Sequence, residues 1–296
     1  MAKQILAITA FVVLVTGRPE AAGETPVELG RVVWERDFAA GLARARGSRK
    51  PAFVLFQEVP GCSTCASFGR EALSNPLLVE AIETEFVPIA VLNNRGGADA
   101  EVLARTGEPA WNNPVVRFLD GEGSDVIPRR DSIFTAGALA ARMVTALEAA
   151  HRPVPGYLLL AGEETRARST RRAVFAMGCY WSGEACLGAI DGVISTRAAQ
   201  SGRREVVEVS YDPRALEESE LVAKARARGC SDEALASDVS IEPASEADQK
   251  YYLRGSPLDG LAMTPLQATR VNAALAAGED PNVFLTPKQR ARLDAP

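Results

Sequence analysis

Two short stretches place a cysteine directly after a glycine, where a strand pattern gives way to a helix pattern. The first is VPGCSTC, which contains Cys62 and Cys65, and the second is MGCYWSGEAC, which contains Cys179. A thiol at a helix N-terminus faces unpaired N–H groups and the positive end of the helix dipole, and both favour the thiolate. The chain is therefore predicted to carry two nucleophilic thiols.

The C-x-x-C pair suits thiol–disulfide chemistry. Cys62 is expected to be the attacking thiol, and Cys65, one turn further on, can close a disulfide with it. A structural disulfide or half of a zinc site would use the same spacing. A zinc site needs more ligands, and the chain has no second C-x-x-C and only one histidine, His151. The spacing thus favours a redox pair over a structural disulfide, and both over a metal site.

Composition restricts the remaining chemistry to thiols, carboxylates and aromatic side chains. The 296 residues carry a formal net charge of -5, and a single histidine argues against Ser-His-Asp triads and Cys-His dyads. No stripe of Lys or Arg suggests nucleic acid as a partner. No metal or cofactor is predicted.

The N-terminus has the pattern of a secretory signal. Lys3 precedes an apolar run over residues 5–15 that is too short to span a bilayer. We therefore expect residues 1–30 to be a signal peptide, or an N-terminal anchor with a linker, and no stable membrane span. The protein would be exported to the periplasm or another extracytoplasmic space, or otherwise anchored by residues 5–17. In an oxidising compartment a C-x-x-C pair needs a source of electrons to act as a reductant.

The elements that must position these thiols fall into two domains. Residues 31–152 predict the order α-β-α-α-β-α-β-β-α, with PAFVLFQ as the strand before the C-x-x-C and NNPVVRFLDGEGSDVIP as a hairpin. The segment HRPVPG breaks the pattern and predicts a linker over residues 153–171. Residues 172–296 predict β-α-β-β-α, most of a split βαβ sandwich, followed by short C-terminal helices. The fold class is thus α/β followed by α+β.

The first domain resembles thioredoxin-like domains. Pro114 precedes a strand at the place where that fold carries a cis-proline beside its C-x-x-C, which implies a position against bound substrate. The VPGC version is similar to a group with the pattern VPGUxxT, some of whose members carry selenocysteine where this chain has Cys62. The usual tryptophan before the first cysteine is absent, and Ser63 and Thr64 replace Gly-Pro.

The stretch from AVFAMGCYWSGEAC to REVVEVSYDP resembles the catalytic core of the A-type peptide methionine sulfoxide reductases, whose hallmark is a strand ending in Gly-Cys-Phe-Trp-Gly. The resemblance implies that Cys179 is catalytic. Tyr180 and Trp181 would wall a pocket for an apolar S-methyl group. The chain also departs from that family: AQ stands at residues 199–200 in place of Gly-Tyr, and the later segment with a second tyrosine and an aspartate is missing. Tyr251 or Tyr252, in ASEADQKYYL, is a candidate substitute.

The residues themselves suggest a reaction. In EVVEVSY, Glu205 shares one face of a strand with Val207, Val209 and Tyr211. Burial there would favour the protonated acid. Attack of Cys179 on a sulfoxide sulfur, with Glu205 protonating the oxygen, would leave a sulfenic acid for a second thiol to resolve. A solvated glutamate at a strand end, and a Tyr-Trp pair that belongs simply to the core, are the alternative interpretations.

Two further cysteines could supply the second thiol. Cys186 lies seven residues after Cys179 on one helix, about 10 Å along its axis, and a disulfide needs Cα atoms within about 7 Å. Cys230, in RARGCSD after a helix, is therefore predicted to be the resolving cysteine, with an isolated free thiol as the alternative.

These patterns together predict a two-domain thiol oxidoreductase acting on oxidised proteins or peptides. The first domain would supply electrons to the second, with an external thiol or thioredoxin as a possible donor. Two alternatives remain open: a thioredoxin-like enzyme whose second domain only binds a peptide or partner, and a structural protein with inert disulfides.

Overall fold

A computed structural model describes residues 25–167, 169–231 and 233–293. Two sheets organise these residues, a three-stranded sheet in the first unit and a five-stranded sheet in the second. The predicted signal peptide or anchor lies outside the described residues as far as residue 24. In the part of the chain that the structure describes, no helix is both long and apolar enough to cross a membrane.

The first unit is built around a central strand that delivers the C-x-x-C. Its β1 pairs in parallel with β2 and antiparallel with β3. Alternate β1 residues enter two cores, so all six of its residues are buried under helices on both faces. The elements are α1 (Phe38–Ser48), β1 (Ala52–Gln57), α2 (Ser63–Glu71), α3 (Pro76–Glu85), β2 (Val87–Leu92), α4 (Ala98–Thr106), β3 (Val115–Leu119) and α5 (Ala136–Ala149).

The predicted hairpin after Pro114 is only half formed. Its second strand is reduced to one bridge between Leu119 and Asp125, with Val126 N–H donating to the Phe118 carbonyl at 2.8 Å. Pro128 follows almost at once and has no N–H to extend the ladder. The predicted fourth strand of this unit is therefore wrong, while the other predicted elements are present in order.

The segment expected to be a linker contains a packed helix, α6 (Gly156–Arg166). Tyr157, Leu158, Leu160 and Ala161 are buried in the core of the first unit. The α6 helix packs against α5 and α3, and the Tyr157 hydroxyl donates to Glu85 Oε1 at 3.1 Å. The prolines and charges around this segment suggested a linker, and its short apolar stripe was overlooked.

The second unit begins with the predicted order β-α-β-β-α. Its antiparallel sheet has the order β7-β4-β6-β5-β8, and α7 and α8 enclose a core against one face. The elements are β4 (Arg171–Ala176), α7 (Tyr180–Gly188), β5 (Val193–Ser201), β6 (Arg204–Tyr211), α8 (Glu218–Ala227), β7 (Ala234–Leu235), β8 (Glu242–Pro243), α9 (Tyr251–Arg254), α10 (Pro265–Ala277) and α11 (Pro287–Leu293). The β7 and β8 strands, two residues each, extend the two edges of the sheet.

A buried arginine on α10 joins the two units. Arg270 donates to the carbonyls of Gly188 at 2.6 Å and Ile190 at 2.9 Å, just where α7 ends. It also pairs with Glu163 of α6 at 2.9 Å. A buried guanidinium contributes most when each donor finds an acceptor, as here. Arg270 thereby ties the second unit to the helix that completes the first.

Replacing this arginine should destabilise the whole chain. Arg270→Ala leaves two carbonyls and Glu163 without their donor, and we expect the free energy of unfolding to fall by about 2–3 kcal/mol. Urea denaturation followed by circular dichroism measures the change. Arg254→Ala is the matched control, because Arg254 is exposed and its ion pairs with Glu246 and Asp259 are worth less than about 1 kcal/mol. Equal losses in the two variants would contradict the proposed role of Arg270.

Candidate functional site

The C-x-x-C lies at the N-terminus of α2 with two inequivalent thiols. Cys62 caps the helix and is exposed, whereas Cys65 is fully buried, and their sulfurs are 3.4 Å apart as free thiols. Hydrogen bonds from the backbone and thiol of Cys65 lower the pKa of Cys62. Burial raises the pKa of Cys65 to about 11. This asymmetry is that of an attacking thiol paired with a resolving one.

Polar groups from distant segments hold this turn in place. The Cys65 thiol donates to Asn113 Oδ1 at 2.7 Å, and the Asn113–Pro114 bond is cis. The structure therefore brings Pro114 beside the C-x-x-C, as the resemblance implied. On the other side, Gly61 N–H donates to buried Glu28 Oε1 at 2.8 Å. Sequence analysis missed Asn113 and Glu28; only the neighbouring Pro114 could have drawn attention to Asn113.

Glycine before the first cysteine has a steric reason. A Cβ at Gly61 would lie 2.5 Å from the Glu58 carbonyl oxygen and 2.7 Å from Cys65 Cβ. Real Cβ atoms do not approach other atoms so closely, so a larger residue would displace the buried thiol. The VPGC pattern therefore reflects the close approach of the backbone to Cys65.

The two thiols should differ in alkylation. In a Cys179→Ser background near neutral pH, iodoacetamide should label Cys62 well before Cys65, because the thiolate reacts and the pKa of Cys62 is lowered while that of Cys65 is raised to about 11. Peptide mass spectrometry over a pH series measures both rates. Labelling of Cys62 should level off at a lower pH than labelling of Cys65, and Cys65→Ala should slow the labelling of Cys62. Equal rates at the two cysteines would contradict this assignment.

The second thiol, Cys179, caps α7 and is exposed and free. The neighbouring N–H, that of Tyr180, donates to Glu205 Oε2 at 2.7 Å. Glu205 is half-buried at the start of β6, on the face where Val207 and Val209 are buried, so its predicted orientation is confirmed. The sheet thus brings a carboxyl group to the helix turn that carries the thiol.

Aromatic side chains form a wall beside this turn. The Trp181 ring stacks on Tyr251 at 4.1 Å, and Tyr251 meets Tyr252 edge-on at 5.6 Å. Trp181 Nε1 also donates to Asp248 Oδ1 at 3.1 Å. Burial, together with the carboxyl groups of Asp248 and Glu205, raises the pKa of Tyr180. The stretch ASEADQKYYL therefore brings Asp248 to this turn as well as Tyr251 and Tyr252.

A buried ion pair clamps that segment onto α7. Glu184, with no exposed surface, accepts from Lys250 N–H and from Lys250 Nζ, both at 2.7 Å. Gln249 bonds both backbone groups of Ala198 on β5, at 3.1 and 2.9 Å. Breaking one partner of a buried pair is costly because the other charge stays buried. The clamp therefore fixes Asp248 and the stacked Tyr251, and sequence spacing gave no sign of it.

The remaining cysteines form a disulfide, Cys186–Cys230, with Cα atoms 5.5 Å apart. The alternative that Cys230 is an isolated free thiol is therefore wrong. With this disulfide formed, Cys230 has no free thiol to offer Cys179, so its predicted resolving role needs the reduced pair. Cys230 follows α8, where its N–H donates to the Ala225 carbonyl at 2.8 Å, and that turn brings it to Cys186. Tertiary packing of α8 on α7 created a pair that the sequence spacing did not indicate.

The contacts that α6 and Arg270 make lie away from both thiols. Glu85, which meets α6, precedes β2 and so lies near the start of β1, whereas Cys62 follows the end of β1, about 17 Å along the strand. Arg270 meets the C-terminal end of α7, whereas Cys179 caps the other end, about 13 Å away. Packed α6 occupies residues 156–166 of the segment predicted to be a linker.

A metal centre would need further ligands. Among residues 25–167, 169–231 and 233–293, no group of three or more His, Cys, Asp or Glu side chains lies together in a way that could hold a metal ion. The side chains described at the two sites are thiols, carboxyl groups and aromatic rings.

Comparisons with known proteins agree with this division. A family model described as thioredoxin-like matches residues 33–121. Peptide methionine sulfoxide reductases MsrA from three strains of Methanococcus maripaludis are 37%, 35% and 34% identical over 71 residues, which cover 18% of this chain and 45% of each relative. The chain thus spans less than half the length of these curated relatives.

A solved structure, a DsbH oxidoreductase, is also similar, with 16% identity over 45% of this chain and 95% of that chain. Its TM-score of 0.35 is too low to carry an argument. The first unit is thioredoxin-like, and it is followed by a second sheet-containing unit. The family match and the partial likeness to the reductases support a thiol oxidoreductase.

Proposed function

We propose that this protein reduces methionine-S-sulfoxide in oxidised peptides or proteins, with Cys179 as nucleophile and Glu205 as proton donor. The observation that carries the proposal is the hydrogen bond from Tyr180 N–H to Glu205 Oε2. It places a carboxyl group beside an exposed thiol at a helix N-terminus. Only one carboxyl oxygen takes part in that bond, so the other is free to carry a proton.

The reaction balances with these groups alone. The Cys179 thiolate attacks the sulfoxide sulfur while Glu205 gives a proton to the sulfoxide oxygen. This forms a bond between the two sulfurs. The hydroxyl group then passes from the substrate sulfur to the Cys179 sulfur as the bond between the sulfurs breaks, which releases the methionine thioether and leaves a sulfenic acid on Cys179. The faces of Trp181 and Tyr251 are suited to the S-methyl group, because an aromatic wall binds an apolar group that a polar pocket would reject.

Cys186 and Cys230, which form a disulfide in this structure, would return the Cys179 sulfenic acid to a thiol. When Cys186 and Cys230 are reduced, the Cys230 thiol can attack the sulfenic acid, which forms a Cys179–Cys230 disulfide and releases water. Cys186 can then attack the Cys230 sulfur, which frees Cys179 and leaves the Cys186–Cys230 disulfide seen here. A reduced C-x-x-C of a second molecule, or an external thiol or thioredoxin, would reduce that disulfide.

The cellular setting stays a prediction. A formed Cys186–Cys230 disulfide is typical of oxidising compartments, which favours the exported location predicted from residues 1–30. There the C-x-x-C would need electrons from a partner that remains reduced.

A second candidate function is thiol–disulfide exchange by the first unit, with the second unit binding a peptide or partner. The asymmetry between exposed Cys62 and buried Cys65 favours it, since that site is complete on its own. The match covers only 45% of the reductase from Methanococcus maripaludis, which also favours this second candidate function.

Turnover of a methionine-S-sulfoxide peptide by the full chain, with dithiothreitol as reductant, tests the proposal. Cys179→Ser should abolish turnover. Glu205→Gln keeps an acceptor for Tyr180 N–H but removes the acid, so kcat should fall about 10²–10⁴-fold. Glu208→Gln is the matched control, because Glu208 lies on the same strand but points to the opposite face, where it pairs with Arg172 and Arg197. Its kcat should be unchanged.

The outcomes separate the two candidates. If the parent chain reduces the sulfoxide at the same rate as the Cys179→Ser variant, Cys179 is not the nucleophile. If neither reduces it while the C-x-x-C still reduces disulfides, the second candidate function is correct.

A further inference from the structure

One large aromatic side chain lies open to solvent beside the C-x-x-C. The indole of Trp111 is 81% exposed, whereas Trp34 packs against the core of the first unit and Trp181 stacks on Tyr251. A fully exposed tryptophan forgoes a large apolar burial. Tryptophan is enriched at binding interfaces, so an exposed indole on a loop that contacts Cys65 is a candidate contact for a polypeptide substrate.

The loop that carries Trp111 has contacts to the first unit on both sides of the indole. Glu108 is 3% exposed and pairs with Arg129 at 2.5 Å. Asn93 Nδ2 donates to the carbonyls of Ala110 and Asn112, both at 3.4 Å. These contacts involve the backbone next to Trp111 and leave its indole exposed.

The same loop touches the thiols. Asn113, which accepts the Cys65 thiol at 2.7 Å, follows Trp111 by two residues, so their Cα atoms are at most about 7 Å apart. Pro60 and Cys62 are exposed on the facing turn. We call Pro60, Cys62 and Trp111 the thiol-side surface.

We propose that Trp111 is a specificity-determining residue that binds an apolar side chain next to the cysteine of a disulfide-bonded polypeptide while Cys62 attacks that disulfide. The proposal rests on the thiol–disulfide activity of the first unit. Tryptophan is among the residues that most often dominate binding energy at interfaces, because its rigid ring buries much area at little entropic cost. A small aliphatic disulfide has no neighbouring side chain to place on the indole, so we expect only the polypeptide to gain binding energy from Trp111.

The exchange step is balanced. The Cys62 thiolate attacks one sulfur of the polypeptide disulfide and forms a mixed disulfide, and the other sulfur leaves as a thiolate that takes up a proton. Cys65 then attacks the Cys62 sulfur, which closes the Cys62–Cys65 disulfide and releases the second polypeptide thiol. The chain is reduced beforehand and the reductant is removed, because dithiothreitol would itself reduce the substrate disulfides, and kcat/KM is taken from a single turnover.

Two peptide disulfides and one small disulfide test the role of Trp111 in the full chain. One peptide carries Leu beside its cysteine, the other carries Ser there, and bis(2-hydroxyethyl) disulfide is the small disulfide. Trp111→Ala should lower kcat/KM for the Leu peptide about tenfold, change it little for the Ser peptide, and leave the small disulfide unaffected. Trp111→Phe should restore most of the loss. Val33→Ala, which trims an equally exposed apolar residue, should change none of the three rates.

Three outcomes overturn the proposal. Equal loss with all three disulfides would mean that Trp111 only supports the fold around the thiols. No loss with the Leu peptide would mean that the indole does not touch the substrate, and a shift to monomers in Trp111→Ala would assign it to contact with a second copy. If the parent chain reduces none of the three disulfides, the thiol–disulfide activity itself is wrong.

Discussion

The hydrogen bond between Tyr180 N–H and Glu205 is the contact on which the second site depends. It joins Tyr180, the first residue of α7, to Glu205, the second residue of β6. The Cys179 thiol and the Glu205 carboxyl group are therefore held in one relative position. A hydrogen bond of this kind typically contributes about 0.5–1.5 kcal/mol. Without it, the half-buried carboxyl group would have no fixed relation to Cys179.

The C-x-x-C site has a similar hydrogen bond, made by residues of other elements. There the carboxyl group comes from Glu28, outside the sheet, and it accepts from Gly61, the residue before the first cysteine. In both sites a carboxyl group bonds a backbone N–H next to a helix-capping thiol. The two Gly-Cys stretches therefore share a hydrogen-bonding arrangement as well as a sequence pattern. The two carboxyl groups come from unrelated elements.

The architecture separates these sites and joins the units elsewhere. Arg270 and α6 tie the units together at the end of α7 that is remote from Cys179, while Cys62 lies at the end of β1 remote from α6. A rigid joint between two outward-facing thiols suits exchange with other molecules better than transfer within one chain. The disulfide between Cys186 and Cys230 supplies a second redox-capable pair inside the second unit.

Local patterns predicted the parts of this fold that depend on local physics. Helix caps, strand alternation and the Gly-Cys turns were sufficient to place Cys62, Cys179 and Glu205 correctly on their elements. Contacts between distant segments could not be predicted in this way. The Lys250–Glu184 clamp, the approach of Asp248 and the Cys186 disulfide each join residues that are 44 or more positions apart.

The helix over Gly156–Arg166 was missed for a different reason. Its apolar stripe is short and lies between prolines and charged residues, so the composition of the segment outweighed its periodicity. Most of the stability of this helix comes from packing against α5 and α3, as is usual for short helices, and its sequence alone gives little sign of that packing.

The central claim is that Cys179 takes the oxygen atom of the sulfoxide. A single-turnover reaction without reductant tests it most directly: the full chain, with its Cys186–Cys230 disulfide intact, is mixed with a methionine-S-sulfoxide peptide and dimedone, and the adduct is mapped by mass spectrometry. Dimedone reacts with sulfenic acids. The account predicts a dimedone adduct on Cys179, formed in step with the reduced methionine peptide and absent when the peptide already carries methionine. Reduced peptide without an adduct on Cys179, or an adduct on Cys62 instead, would contradict it.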